Sequence, residues 1–197
     1  LFSTAVTMDP ASLLIRAFKH AGNEKFFRVV ERGGLDHITK ERQLIRSTRN
    51  SLNEKEQVLP LLFAGLVIEG GVIGYDTNLR SGGIGARYLG IGSQKQYRED
   101  TVSVSIRTVS VSSGEVLMEV LVTKTILSVG VSQDVFRFIE LGTELVEVEN
   151  GVTKNESVTI ALQKALETGV LEIIYEGEKR GYWETVLIGE ENEISGS

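Results

Sequence analysis

The glycine-rich stretch near the middle of the chain has spacings that could cradle a phosphate group. A dinucleotide-binding loop would follow Gly83 and Gly85 with a third glycine, but Tyr88 occupies that position. Gly85 and Gly90 have the spacing of a phosphate-binding loop, yet Ile91 stands where that loop needs a lysine. We therefore interpret these glycines as sites of backbone bending or close packing at strand ends, and we expect no nucleotide cofactor.

The side chains that could do acid–base or metal chemistry form no convincing set. His20 and His37 lie at a helix end and on a charged helix, where both are expected at the surface. Glu147 and Glu149 could act as a general acid and base, but a charged strand face is the commoner explanation for such a pair. The chain has no cysteine, which excludes disulfides and thiolate metal ligands. We predict that the protein is not an enzyme and binds no metal.

Composition limits the possible function classes further. The 197 residues are 41% hydrophobic and 24% charged, which suits a single domain with a real core. The net charge of −6 argues against a nucleic-acid partner, which would require a basic face. The longest apolar run, at 58–68, is interrupted by Pro60 and Gly65 and is far shorter than the roughly 18 residues of a spanning helix. If the chain enters a membrane, we expect it to do so with β-strands.

Three helices are predicted from apolar residues at helical spacing. Asp9 followed by Pro10 is a typical N-cap and first helical position, and Gly22 is the predicted end of that helix. A second, charge-rich helix is predicted at 35–45. The third is predicted to begin near residue 158 and to end at Gly169.

Strands are predicted between these helices, which indicates an α+β domain. Val102, Val104 and Ile106 alternate with polar residues, and a shift of the apolar phase to Val109 predicts a β-bulge. The predicted strands are 26–30, 66–75, 101–111, 116–127 and 170–175, with 66–75 in the centre of the sheet.

Two stretches do not fit this domain and are long enough for two strands and a tip each. They are 79–99 and 129–153. In both, apolar residues alternate with charged residues or glycine, a pattern typical of the arms of a transmembrane β-barrel hairpin. Half-buried strands of a soluble sheet show the same alternation more often, so the pattern alone leaves both interpretations open.

Several segments, kept in order and spacing over nearly the whole chain, resemble the curli secretion channel family of outer-membrane lipoproteins that export amyloid subunits. They are FSTAV at 2–6, SGGIGARYLGIG at 81–92, VSVSSGE at 109–115, KTILS at 124–128, VFRFI at 135–139, ALETGV at 165–170 and GYW at 181–183.

The resemblance implies a periplasmic α/β domain made of 1–78, 100–128 and 154–197. It also implies two transmembrane hairpins, at 79–99 and 129–153, which nine protomers combine into one barrel of about 36 strands. Phe2, beside Leu1, matches the segment that forms the channel constriction. The family further implies a bacterial outer-membrane location and a lipid anchor upstream of Leu1. Its cargo is unfolded curli-type subunits, and its accessory partners are a periplasmic cap and an extracellular nucleator.

The alternation within the hairpins assigns each arm residue to a face of the barrel. The predicted lumen residues are Arg87, Gln94, Gln96, Arg137, Glu147 and Glu149. The predicted lipid-facing residues are Ile84, Ala86, Tyr88, Tyr97, Phe136, Phe138, Val146 and Val148, with the two tyrosines in an aromatic girdle. The alternative function is a soluble periplasmic assembly or binding protein whose hairpins pair with the sheet of a partner.

Overall fold

The architecture is one antiparallel sheet with helices packed on one of its faces. The computed structural model describes residues 9–22, 26–53, 58–81, 96–130, 136–141, 148–151 and 156–184. The helices are α1 (Pro10–His20), α2 (Leu35–Ser51) and α3 (Glu156–Lys179). The strands are β1 (Leu66–Ser81), β2 (Gln96–Ser110), β3 (Val116–Gly130), β4 (Phe136–Leu141) and β5 (Val148–Gly151). They lie in the order β1-β2-β3-β4-β5, and the predicted α+β class is confirmed.

The core lies between the sheet and the helices α1 and α3. Val102, Val104 and Ile106 of β2 are each at most 1% exposed and pack against α3, which confirms the predicted alternation. Phe18 is the buried residue of α1. Burying an aliphatic side chain such as those of Val102, Val104 and Ile106 contributes about 1.5 to 3 kcal/mol, so this layer supplies most of the stabilisation of the fold.

The predicted start of the first helix is confirmed. The Asp9 carboxylate accepts hydrogen bonds from the backbone N–H groups of Ala11 and Ser12, at 3.1 and 3.2 Å, and Pro10 is the first helical residue. Hydrogen bonds from the Ser12 side chain and backbone lower the pKa of Asp9. Both histidines are exposed, as predicted.

The predicted end of the last helix at Gly169 and the predicted strand at 170–175 are both wrong. α3 continues without a break to Lys179. A Cβ at Gly169 would lie 2.6 Å from Cδ1 of Ile106, and one at Gly177 would collide with the indole ring of Trp183. Both glycines therefore mark close packing against the helix, which is compatible with a helical backbone, and neither is a helix stop.

The predicted strand at 26–30 is also wrong, since these residues join no sheet. Phe26 and Phe27 instead pack edge-to-face against Trp183, with ring centroids 6.2 and 5.7 Å apart. Phe27 also contacts Phe18 of α1, at 5.2 Å. Two consecutive aromatic rings in one cluster do not follow the alternation of a strand.

β1 is an edge strand of the described sheet, which corrects its predicted central position. Its ladder with β2 shifts register between Val72 and Gly74, leaving Ile73 as an extra residue. The bulge predicted at Val109 is confirmed by the register shift between Thr108 and Val109 in the β2–β3 ladder.

Candidate functional site

Most of the predicted channel residues fall on the hairpin stretches, of which the structure describes the bases. Those that lie outside the described residues are Leu1, Phe2, Ile84, Ala86, Arg87, Tyr88, Gln94, Val146 and Glu147. The others lie on β2, β4 and β5, where their register is known.

The base of the first hairpin is a direct continuation of the domain. After the bulge at Ile73, the β1–β2 ladder continues to the pairs Arg80–Tyr97 and Ser81–Gln96, which lie within the predicted hairpin stretch 79–99. The Arg80 guanidinium lies 3.4 Å from the Glu99 carboxylate across this ladder. The strands that would enter the hairpin are therefore already paired inside the domain.

The described part of the second hairpin stretch lies in the sheet of the domain. β4 pairs antiparallel with β3, from the pair Gly130–Phe136 to the pair Thr125–Leu141. β5 pairs with the other side of β4, so β4 lies between β3 and β5.

The ladder between β4 and β5 pairs Phe138 with Glu149 and Ile139 with Val148. The lumen and lipid faces of these two arms stay predictions, because the alternation within each arm carries no information about how the arms pair.

Tyr97 is 5% exposed and belongs to a small apolar cluster with Leu127, Val129 and Ile139. These residues alternate with core residues along β2 and β3, so the cluster lies on the sheet face opposite α3. Its burial explains why β4 lies against β3: Ile139, paired with Leu127, loses its exposed apolar surface there.

A buried polar network anchors the base of the first hairpin to α3. We call it the Asp100 network; its members are Tyr75, Thr77, Arg98, Asp100 and Ser157. Asp100 is 0% exposed. Its carboxylate accepts hydrogen bonds from Nε of Arg98 at 2.7 Å, from the hydroxyl of Thr77 at 2.5 Å, and from the Ser157 hydroxyl. Nη2 of Arg98 donates to Oγ of Ser157 at 2.8 Å. A buried charge needs such partners, and the Asp100 carboxylate finds them on β1, on its own strand β2 and on α3.

The bulge in β1 brings the hydroxyl groups to this network. Before Ile73, the even-numbered residues of β1 pair with the core-facing residues of β2; after it, the odd-numbered residues do. Thr77 is thereby paired with Asp100, and Tyr75 donates a long hydrogen bond of 3.4 Å to the same carboxylate. Burial, with a smaller effect of the Asp100 charge, raises the pKa of Tyr75.

A second buried ion pair lies at the base of the second hairpin. Nζ of Lys124 on β3 is 2.5 Å from Oε1 of Glu140 on β4, with side-chain exposures of 15% and 5%. We call it the β3–β4 ion pair. Sequence reasoning missed both this pair and the Asp100 network. The available signal was that Arg98, Asp100 and Lys124 share the phase of the buried apolar residues of their strands.

The described residues offer no group of three or more His, Cys, Asp or Glu side chains that could hold a metal ion. Within the same ranges, every helix is too short or too polar to cross a membrane. At the described hairpin bases, Arg80 pairs with Glu99, Arg98 with Asp100 and Lys124 with Glu140, contacts that hold the strands in place.

Comparison with known proteins identifies the family. The model of the family described as "Curli production assembly/transport component CsgG" matches residues 1–193. Proteins of that name from Escherichia coli (strain K12), Salmonella typhimurium (strain LT2) and Citrobacter koseri are each 42% identical to the chain over 187 residues. The chain belongs to this family. The aligned region is 93% of the chain and 66% of the length of these CsgG relatives.

The resemblance inferred from the motifs is thus confirmed. The family match includes both hairpin stretches, the Asp100 network and the β3–β4 ion pair.

Proposed function

We propose that this chain is a subunit of an oligomeric outer-membrane channel through which unfolded curli-type amyloid subunits diffuse. In this proposal, 79–99 and 129–153 provide transmembrane hairpins, and the α+β domain lies in the periplasm. Nine copies close the barrel, and a lipid anchor upstream of Leu1 holds each copy to the membrane. Transport requires no cofactor, and a periplasmic cap and an extracellular nucleator assist it.

The observation that carries the proposal is the sheet with two unpaired edges. Among the described strands, β1 and β5 each have a neighbour on one side only; β1 runs into the first hairpin stretch and β5 lies in the second. In hydrocarbon, every unpaired backbone N–H and C=O group costs several kcal/mol. Pairing with the edges of further copies removes this cost, which favours a closed ring over a single inserted chain.

The channel surface follows from the alternation in the first hairpin and the charge of the second. We propose that one face of the hairpins lines the lumen and the other contacts lipid. The proposed lipid-facing residues are Ile84, Ala86, Tyr88, Tyr97, Phe136, Phe138, Val146 and Val148. The proposed lumen residues are Arg87, Gln94, Gln96, Arg137, Glu147 and Glu149, of which Arg137 and the two glutamates supply the charge of the second hairpin. Rings of such side chains would set the ion selectivity of the pore.

Ring formation is tested with the full chain extracted in detergent. Analytical ultracentrifugation should give a particle near nine times the 21.6 kDa of one chain, and micrographs viewed down the axis should show a closed ring. A soluble binding protein would leave the membrane fraction without detergent and sediment as a monomer or dimer. That result would refute the channel.

The constriction is tested with Phe2→Ala, using Phe18→Ala as the matched control. Phe2→Ala should raise single-channel conductance in planar bilayers and leave the melting temperature nearly unchanged, since a lumen-facing ring buries little apolar surface. Phe18 is 5% exposed in the core, so its truncation should cost about 3 to 5 kcal/mol and leave the conductance of assembled pores unchanged. A Phe2→Ala variant with lowered stability and normal conductance would contradict the assignment.

A further inference from the structure

The described residues leave part of the helix-side face of β1 uncovered. α3 packs on β2 and β3, whereas α1 packs on β1 and on α3. α1 covers β1 near Gly70, where a Cβ would lie 3.7 Å from Cδ2 of Leu14. Further towards the first hairpin, three large side chains on this face are exposed: Val72 (39%), Tyr75 (52%) and Leu79 (71%). We call these three residues the β1 row.

The register of the β1–β2 ladder places the whole β1 row on the face that carries the helices. Val72 and Tyr75 are each paired with a buried core residue of β2. Leu79 is paired with Arg98, which donates to Ser157 of α3. Directly paired residues lie on the same side of a sheet, and the bulge in β1 lets even- and odd-numbered residues share that side.

α1 points towards the β1 row from the opposite end of the sheet. Near the end of α1, Phe18 contacts Phe27 at 5.2 Å, and Phe27 contacts Trp183, which follows the end of α3. The start of α3 lies at the other end, where Ser157 joins the buried polar network at the hairpin base. The chain that precedes Asp9 therefore enters α1 from the side of the first hairpin.

Residues 1–8 have a length and a chemistry that suit the β1 row. They carry no charge and are mostly apolar; the apolar members are Leu1, Phe2, Ala5, Val6 and Met8. At roughly 3.3 Å per residue, eight extended residues span roughly 25 Å. The stretch of β1 from Val72 to Leu79 spans roughly 23 Å at the same rise. The segment is therefore long enough to lie along the whole row.

We propose that residues 1–8 dock along the β1 row of their own chain, with Val6 over Tyr75 and Ser3 beside Leu79. Apolar surface on both sides drives the contact, and a segment without charge enters it without a large desolvation cost. The inference deepens the proposed function, on which its consequence for the pore rests. The β1 row is the seat that holds the constriction segment at the base of the first hairpin, with the Phe2 ring projecting into the lumen.

The absence of cysteine from the chain allows a direct cross-linking test. The full chain carrying Ser3→Cys and Leu79→Cys, assembled in detergent, is treated with a short bismaleimide. We expect a cross-link within each chain, identified by mass spectrometry of the linked peptides, with little covalent dimer on a denaturing gel. Two unlinked thiols would overturn the proposal. So would covalent dimers as the main product, because the segment would then lie on a different copy.

The matched control combines Ser3→Cys with Val67→Cys. Val67 is 42% exposed on the same strand, but it alternates with Ile68, which packs against the core, and it lies at the end of β1 away from the hairpin. This pair should give no cross-link within the chain. Cross-linking as efficient as that of the first pair would show a segment without a fixed seat and overturn the proposal.

Single-channel recording gives an independent measurement. Leu79→Ser should raise the conductance, in the same direction as Phe2→Ala, because the constriction segment loses its seat. Leu121→Ser is the control: Leu121 is 63% exposed, but it alternates on β3 with core residues and lies on the other face of the sheet, so the conductance should not change.

The two measurements separate the seat from the channel. Pores whose conductance responds to Phe2→Ala, but which show neither the Ser3–Leu79 cross-link nor a response to Leu79→Ser, would overturn the seat and leave the channel intact. A chain that forms the cross-link and no pore would support the docking of residues 1–8 and refute the proposed function.

Discussion

The polar contacts at the base of the first hairpin reach the helical layer, whereas those described at the base of the second lie within the sheet. Asp100 and Arg98 on β2 reach Thr77 on β1 and Ser157 at the start of α3. Lys124 on β3 pairs with Glu140 on the neighbouring strand β4. The first base is therefore tied to both the sheet and α3. We expect β4 and β5 to separate from β3 more easily than the first base separates from α3.

The largest effect should come from Asp100→Ala. The change leaves the Arg98 guanidinium, which is 17% exposed, and two hydroxyl groups without their buried acceptor. We expect a loss of about 3 to 5 kcal/mol in the free energy of unfolding, measured by urea denaturation. Asp76→Ala is the matched control, since Asp76 is exposed on the same strand pair and should change stability by less than about 0.5 kcal/mol. Similar losses in the two variants would contradict the role of the network.

A smaller loss of stability is expected from Lys124→Met, which leaves the buried Glu140 carboxylate without its ion-pair partner. β4 can open locally and return that carboxylate to water, so we expect about 1 to 3 kcal/mol. Hydrogen exchange should accelerate in β4 and β5 and stay unchanged in β2. Adding Glu140→Leu should recover much of the loss, because an apolar pair can replace a buried ion pair. Faster exchange throughout the sheet would show that the second base is as firmly anchored as the first.

Ser157→Ala tests the link between the sheet and α3 alone. The hydrogen bond between Arg98 and Asp100 remains, so only the hydrogen bonds of the Ser157 hydroxyl are lost. The free energy of unfolding should fall by about 1 kcal/mol. Exchange should accelerate in the first turns of α3. Thr159→Ala, a half-buried hydroxyl two residues along the helix, is the control and should leave that exchange unchanged. Equal effects of the two changes would exclude a specific tie at Ser157.

The smallest effect concerns alkaline pH and the first base only. The pKa of Tyr75 is raised in the folded chain, so its stabilising contribution is complete below the ordinary value of 10.0 and is lost as pH rises through the raised pKa. We expect the free energy of unfolding, measured by urea denaturation, to fall slightly more for the wild type than for Tyr75→Phe between about pH 9 and pH 11. Phenolate absorbance should show one fewer high-pKa tyrosine in the variant. Identical pH profiles would contradict the shift.

Local patterns in the sequence were sufficient for several elements of this protein. The N-cap at Asp9 depends on residues within one helical turn, and the burial of Val102, Val104 and Ile106 follows from strict alternation along one strand. The bulge at Val109 was visible as a shift of phase in the same strand. The family was recognisable from ordered motifs, and the comparison with CsgG proteins confirms it. For the helix cap, the alternation and the bulge, the determining information lies within a few neighbouring residues, whereas the family was recognised from the order of motifs along the chain.

Only the tertiary structure decided the remaining features, because each depends on residues far apart in the chain. Gly169 was predicted to end the last helix, whereas the close packing of Ile106 is the reason for a glycine there, as the packing of Trp183 is at Gly177. The pairing of β4 with β3 is accompanied by the burial of Ile139 and by the ion pair between Lys124 and Glu140. Alternation assigns each strand two faces, but it does not specify which strand lies beside it or in which register, because those depend on contacts across the sheet.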